Sequence, residues 1–258
     1  GWGQSFWLDV KKLSDQNVSE VVGCFIAVKA FYLEGAALRF IPYLSPGTPV
    51  ISLSNGATQH IVESLQTKFP GHVLRLGFCT SGVTMLNTNH FELRSSSGGV
   101  YWGPIKKGLP KTSFEKSLVD NACNQFFNFL DPVFRAHRIK WLLNTVLNSI
   151  CAVKKYDHNG KLLEDCDYLR LVFSEAYALG DEIWGPWIDD ENKLFNDMIS
   201  LIIATKTNEN SMFKDVKLRL RTETMYLAGL APNRDKYKEL VQLNNKILEI
   251  SPSNNRVR

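Results

Sequence analysis

The 258 residues are 44% hydrophobic and 22% charged, a balance that excludes a disordered polyelectrolyte, a collagen-like repeat and a cysteine-stapled miniature. Thirty basic against 26 acidic side chains leave a net charge of +4, which permits a polyanionic partner without requiring one. No run approaches the roughly 20 apolar residues that span a bilayer, and no basic-then-apolar leader opens the chain.

The first residues, GWGQSFWLDVKKLSDQ, hold no succession of strand, Gly-x-Gly-x-x-Gly and helix of the kind that seats a dinucleotide pyrophosphate. If the fold is a nucleotide-binding one, its first βαβ unit is absent from these residues: either the polypeptide is longer, or the protein has abandoned the cofactor and kept the scaffold. VGCFIAVKAFYL, from residue 22, begins as an interior strand, breaks at Lys29 and continues as a helix to about residue 40. Lys29 is thereby placed at the end of a strand. Pro46, Gly47 and Pro49 signal a turn. VISLS then reads as a second strand ending at Asn55-Gly56, and ATQHIVESLQTKF as an amphipathic helix. Strand, turn and helix, repeated twice, form the α/β pattern, in which ligands gather at the carboxyl ends of strands.

Residues 73–103 change to short strand-like pieces, VLRLGFCTSGVTMLN, HFELRS and GVYWG, expected as antiparallel or mixed strands. The stretch 104–112 reads as a linker rich in Gly, Pro and Lys. From residue 113 the periodicity is helical, with helices expected near 113–130, 134–154, 161–182, 189–206, 210–229 and 234–250. The reading is therefore α/β plus all-α: an incomplete α/β domain over 1–112, which the resemblance named below makes Rossmann-like, and an all-helical domain over 113–258.

Cysteines at 24, 79, 123, 151 and 166 show neither zinc spacing nor a disulfide framework, and are expected to be reduced and mostly buried. His60, His72, His90, His137 and His158 lie too far apart for a ligand set, so no metal is expected.

One helix stands out. HRIKWLLNTVLNSICAV puts Lys140, Asn144 and Asn148 at intervals of four on one helical face with apolar neighbours on both sides. Such a stripe either borders a pocket or is the solvated face of an amphipathic helix, and spacing alone leaves both open. In NSMFKDVKLRLRTETMYLAGL, Ser211 and Glu223 would lie about 18 Å apart along one continuous helix. They therefore serve different parts of a cleft or are separated by a bend. The alternative has Asp215 and Glu223 paired with nearby Lys217, Arg219 and Arg221.

KWLLNTVLNSICAV with the following NGKLL, then SMFKD and RTETMYLAG, resembles the helical carboxyl-terminal domain of the ketopantoate reductases, which reduce 2-dehydropantoate to pantoate with NADPH. Upstream, AVKAFYLEGAALRFIPYLSPGTPVISLSNG is similar to the later half of that family's Rossmann domain, and VLRLGFCTSG with GGVYWG to its last strands. The resemblance runs over most of residues 22–230. It implies Lys140 as the general acid on the keto oxygen, with Asn144 and Asn148 holding the substrate and Ser211 on its carboxylate. It further implies Glu223 on the reacting or terminal hydroxyl or on the lysine, and Lys29 and Asn55 beside the nicotinamide and ribose. Four departures accompany it: Ser149 stands where the family has proline, Ala57-Thr58 where the Asn-Gly turn usually continues with glycine, and Ala228-Gly229 where it has Asn-Gly. The stretch after Leu230 is also shorter.

Three functions are weighed. The first is NADPH-dependent reduction of a small branched 2-oxo acid of the 2-dehydropantoate type. The second is a catalytically silent relative, a scaffold for RNA or a ribonucleoprotein. It would use Lys106, Lys107 and Lys111, the run Lys214, Lys217, Arg219 and Arg221, and exposed aromatics such as Trp184 and Trp187. The third is reduction of a different 2-oxo acid. A homodimer is expected of an enzyme of this kind, in the cytoplasm or the mitochondrial matrix.

Overall fold

The computed structural model describes residues 21–81, 83–87, 90–93, 98–120 and 126–251. In chain order the elements are β1 (Cys24–Ile26), α1 (Ala30–Phe40), β2 (Pro49–Ser52), α2 (Gln59–Lys68), β3 (Val73–Cys79), β4 (Val83–Asn87), β5 (His90–Leu93), β6 (Val100–Gly103), α3 (Ser113–Asp120), β7 (Phe127–Phe129), α4 (Phe134–Lys154), α5 (Cys166–Trp184), α6 (Glu191–Ala204), α7 (Ser211–Lys217) and α8 (Lys238–Ile250). They form two compact units. Within the described residues the first holds 21–54, 59–79 and 99–133, and the second holds 55–58, 80–98 and everything from 134 onward.

The first unit is built on a five-stranded sheet in the order β1-β2-β3-β6-β7. β1, β2 and β3 run parallel, β6 is antiparallel to β3, and β7 is parallel to β6. Every residue of β2 is buried, as expected of a strand inside an α/β sheet. Helix α1 buries Ala30, Leu33 and Ala37, and α2 buries Ile61, Val62 and Leu65, the one-sided spacing of helices laid on a sheet. At the carboxyl ends of the parallel strands, Leu53 N donates to Ile26 O at 2.9 Å and Ser54 Oγ to Val28 O at 2.7 Å. These bonds set the chain leaving β1 against the chain leaving β2.

Two features of this unit differ from the sequence reading. Of the helix expected over 113–130, Ser113–Asp120 are helical, residues 121–125 lie outside the described residues, and Phe127–Phe129 form a strand instead. Phe127 and Phe129 pack edge-on against Trp102, with ring centroids 6.1 Å away in each case. Alternate aromatics on one face suit a strand, and this packing outweighs the local helical pattern. Consequently α3 and β7 lie with the sheet, and the chain passes to the helical unit after Val133 rather than near 112. Cys166 is exposed, Cys24 and Cys79 are half-buried and Cys151 is buried, so the thiols are less uniformly buried than expected; Cys123 lies outside the described residues.

Among its described residues the second unit is helical apart from the antiparallel hairpin of β4 and β5 and one bridge between His158 and Glu209. Its centre is α4, packed on α5, α7 and α8. Trp141, Leu142, Val146, Leu147 and Ile150 of α4 share one core with Phe173 of α5 and Leu240, Leu243 and Ile247 of α8. The helix expected over 210–229 stops at Lys217. Arg219 takes φ 55°, a left-handed conformation that ends a helix, and short 3-10 turns follow at Thr224–Tyr226 and Ala228–Leu230. No helix among the described residues is long and apolar enough to cross a membrane.

Trp184 and Trp187 are half-buried, not exposed platforms. Arg138 lies 4.2 Å over the Trp187 ring and 5.6 Å over that of Trp184, and Trp187 Nε1 donates to Tyr177 O at 2.9 Å. Both rings are packed within the helical unit, Trp184 edge-on against Trp141 with centroids 4.7 Å apart, which removes them from the nucleic-acid reading.

Candidate active site

Lys140, Asn144 and Asn148 lie on α4 at intervals of one turn and so share a face. Lys140 and Asn144 are half-buried, whereas Asn148 is 9% exposed. One turn before Lys140, His137 is also buried; burial, with the positive charge of Lys140 second, pushes its pKa down to about 3. His137 is therefore a neutral imidazole at physiological pH.

Asn55 and Glu223 meet. The loop 55–58 after β2 belongs to the helical unit, and there Asn55 Nδ2 donates to Glu223 Oε2 at 3.5 Å. One carbonyl organises this contact. Tyr226 O accepts from Ala57 N at 2.9 Å and from Trp141 Nε1 at 3.1 Å, joining the loop, α4 and the turn that carries Glu223. Gly56 fits only as glycine: its φ is +85°, and a Cβ there would stand 2.6 Å from Tyr226 Cβ. The Glu223 side chain is 6% exposed, so this carboxylate is held in a largely dry setting.

Ser211 is the first residue of α7 and is exposed. The bend at Arg219 separates it from Glu223, so the two do not share a helix. Ser211 follows Asn210, which caps α7 through its side chain and donates to Asn148 Oδ1 at 3.0 Å. Asn148 and the Ser211 end of α7 are thus brought together, through Asn210. Lys29 lies in the sheet unit, at the N-cap position of α1.

Sequence reasoning missed Trp141 and Asn210. An asparagine directly before Ser-Met-Phe is a helix-start signal, so Asn210 was open to detection. Nothing local marks the Trp141 indole, whose acceptor lies 85 residues away.

Residues 3–107 match the family model of ketopantoate reductase PanE/ApbA. A solved PanE/ApbA family ketopantoate reductase from Ralstonia eutropha JMP134 superposes with a TM-score of 0.74 at 18% identity, covering 93% of this chain and 78% of its own. The chain has the fold of the ketopantoate reductases. A D-mandelate dehydrogenase with NADH and anilino(oxo)acetate gives a TM-score of 0.74 at 20% identity, covering 94% of this chain and 80% of its own. A dimeric ketopantoate reductase from Staphylococcus aureus gives 0.66 at 14% identity, with 90% and 78% covered. No curated protein matches the sequence. The partial Rossmann-like sheet followed by a helical domain is the architecture that the sequence resemblance to ketopantoate reductases implies.

Proposed function

We propose that this protein is an NADPH-dependent reductase of a small branched 2-oxo acid of the 2-dehydropantoate type. The observation that carries the reading is the contact between Asn55 and the buried carboxylate of Glu223. It puts a polar pair, fixed by the Tyr226 carbonyl, in the unit that carries the Lys140 face. A buried polar cluster costs stability unless it is satisfied or serves a ligand, and the likeness to ketopantoate reductases supports a 2-oxo acid as that ligand.

In this mechanism Lys140 holds at Nζ the proton delivered to the keto oxygen, and its positive charge offsets the alkoxide charge that develops there. Asn144 and Asn148 orient the oxygen-bearing end of the substrate. Ser211 contacts its carboxylate. Glu223 accepts from the terminal hydroxyl of the substrate or steadies the Lys140 ammonium.

When bound, a reduced nicotinamide would supply the hydride for the keto carbon. The resemblance to ketopantoate reductases gives Lys29 and Asn55 to the nicotinamide and ribose. The 258 residues contain no Gly-x-Gly-x-x-Gly turn, so no pyrophosphate contact is assigned to them.

The test is absorbance of reduced nicotinamide while 2-dehydropantoate is added to the full-length protein with NADPH. Saturable turnover supports the reading; no cofactor binding by folded full-length protein overturns it in favour of the scaffold. The likeness to D-mandelate dehydrogenase favours adding a 2-oxo acid with an aromatic side chain to the same assay. A homodimer, as named for the Staphylococcus aureus enzyme, is read by light scattering.

A further inference from the structure

Asn210 and Asn148 form a hydrogen-bond relay whose direction is fixed at one end by a helix. Asn210 Oδ1 accepts from the backbone N–H of Met212 at 3.0 Å and of Phe213 at 3.2 Å. Its oxygen is committed to the open first turn of α7, as in any side-chain N-cap. Its Nδ2 must then point the other way, where it donates to Asn148 Oδ1 at 3.0 Å. The two side chains belong to residues 5% and 9% exposed, so water does not readily substitute for a lost partner. Turning the Asn148 amide over would set N–H₂ against N–H₂ and leave buried donors unmatched.

We infer that Asn210 fixes the polarity of Asn148, consuming its oxygen and leaving its amide N–H₂ as the end available to a ligand. Asn148 is then a donor-only contact. It suits an acceptor on the ligand, such as a carboxylate, keto or hydroxyl oxygen, and penalises a group that presents N–H in that place. Asn210 is a positioning residue: its polarity is dictated by the peptide groups of α7 and transmitted to Asn148 on α4. The same cap fixes where Ser211 begins the helix, so one side chain sets both proposed substrate contacts. The inference rests on the reductase reading only in taking the ligand of Asn148 to be the 2-oxo acid.

The experiment uses the full chain and the variants Asn210→Asp, Asn148→Asp and the two combined, each followed by steady-state kinetics and thermal unfolding. In Asn210→Asp the introduced carboxylate caps α7 as well as asparagine does but has no N–H to give, so Asn148 turns over and directs its oxygen outward. The expected result is KM for the 2-oxo acid raised about tenfold with kcat within about threefold, the signature of lost ground-state binding. Asn148→Asp keeps the acceptor that Asn210 needs and removes the outward donors, so KM rises similarly. Each single variant keeps Tm within about 3 °C of wild type, and the double variant, with two carboxylates face to face, loses clearly more than their sum. An unchanged KM in folded Asn210→Asp overturns the inference. A large fall in Tm for Asn148→Asp also overturns it, because that is what the opposite orientation requires. If the wild type turns over no 2-oxo acid, the reductase reading fails, while the pattern of Tm values still decides the direction of the relay.

Discussion

Asn55 and Glu223, 168 residues apart in sequence, are joined by a hydrogen bond from Asn55 Nδ2 to Glu223 Oε2 at 3.5 Å. The contact is long for a charge-assisted bond, and in the proposed reductase a substrate hydroxyl beside the carboxylate would compete for the same lone pairs. Glu223→Gln keeps the shape and removes the charge. It is expected to lower kcat/KM for the 2-oxo acid about 100-fold, in line with the loss of a charged hydrogen-bond partner in a dry site, with little change in Tm. Equal kinetics in the variant remove Glu223 from the substrate site.

Lys140 is argued to act as proton donor and as positive charge, and two substitutions separate these roles. Lys140→Ala is expected to lower kcat by about 10²- to 10⁴-fold, the usual contribution of general acid catalysis. Lys140→Arg keeps the charge but holds its proton at any ordinary pH. A low rate in both variants supports proton transfer, whereas an arginine variant close to wild type assigns the residue a purely electrostatic role.

His137 gives the fold a pH dependence that can be separated from that of the carboxylates. Its folded pKa is pushed down to about 3 by burial and then by Lys140, while in the unfolded chain it titrates near 6.5. Between these values the unfolded state binds the extra proton, so stability is full above pH 6.5 and falls with decreasing pH. The loss is about 1.4 kcal/mol per pH unit from this residue. Urea unfolding between pH 6.5 and 5 should show that slope, and His137→Phe should flatten it even if the variant is less stable throughout.

The sequence made α4 legible because Phe134–Lys154 holds no glycine or proline and repeats its apolar residues at helical spacing. The polar stripe of Lys140, Asn144 and Asn148 was visible for the same reason. β7 was not legible: Phe127 and Phe129 are placed by Trp102, a partner that local periodicity does not contain. The end of α7 was also hidden, because it depends on Arg219 adopting a positive φ, a conformation that nothing in KLRLRTET requires. The meeting of Asn55 with Glu223 was not legible, since it depends on the Tyr226 carbonyl receiving both Ala57 and Trp141.

In the sheet unit, Glu115 is fully buried and accepts from Arg75 Nε at 2.8 Å, Arg75 Nη2 at 3.0 Å, Trp102 Nε1 at 3.1 Å and Thr112 N at 2.8 Å. Burial raises its pKa, but these donors outweigh burial and the net shift is downward. Its contribution is therefore present above the unfolded carboxylate range and is lost as pH falls through the lower folded value. Glu115→Gln leaves the Arg75 guanidinium buried without a counter-charge and should cost about 3–5 kcal/mol. Adding Arg75→Met should recover part of that loss, a sign that an uncompensated charge, not lost packing, is the main penalty. A double variant no more stable than Glu115→Gln alone contradicts this.

Two helical glycines should respond oppositely to alanine. Gly35 on α1 has nothing within 4 Å of a Cβ placed there, so Gly35→Ala should stabilise by about 0.5–1 kcal/mol through lower unfolded-state entropy and better helix propensity. Gly180 on α5 gains the same propensity, but its Cβ would stand 2.5 Å from Trp187 Cζ2 and 3.2 Å from Trp141 Cζ3. Trp187 cannot give way easily, because Arg138 stacks on it while donating to the carbonyls of Gly180 at 3.2 Å and Gly185 at 2.8 Å. Gly180→Ala should therefore destabilise by about 1–3 kcal/mol, the usual cost of overpacking. Urea unfolding of the two variants side by side tests the assignment; stabilisation by both would mean that the Trp187 ring is not held against α5.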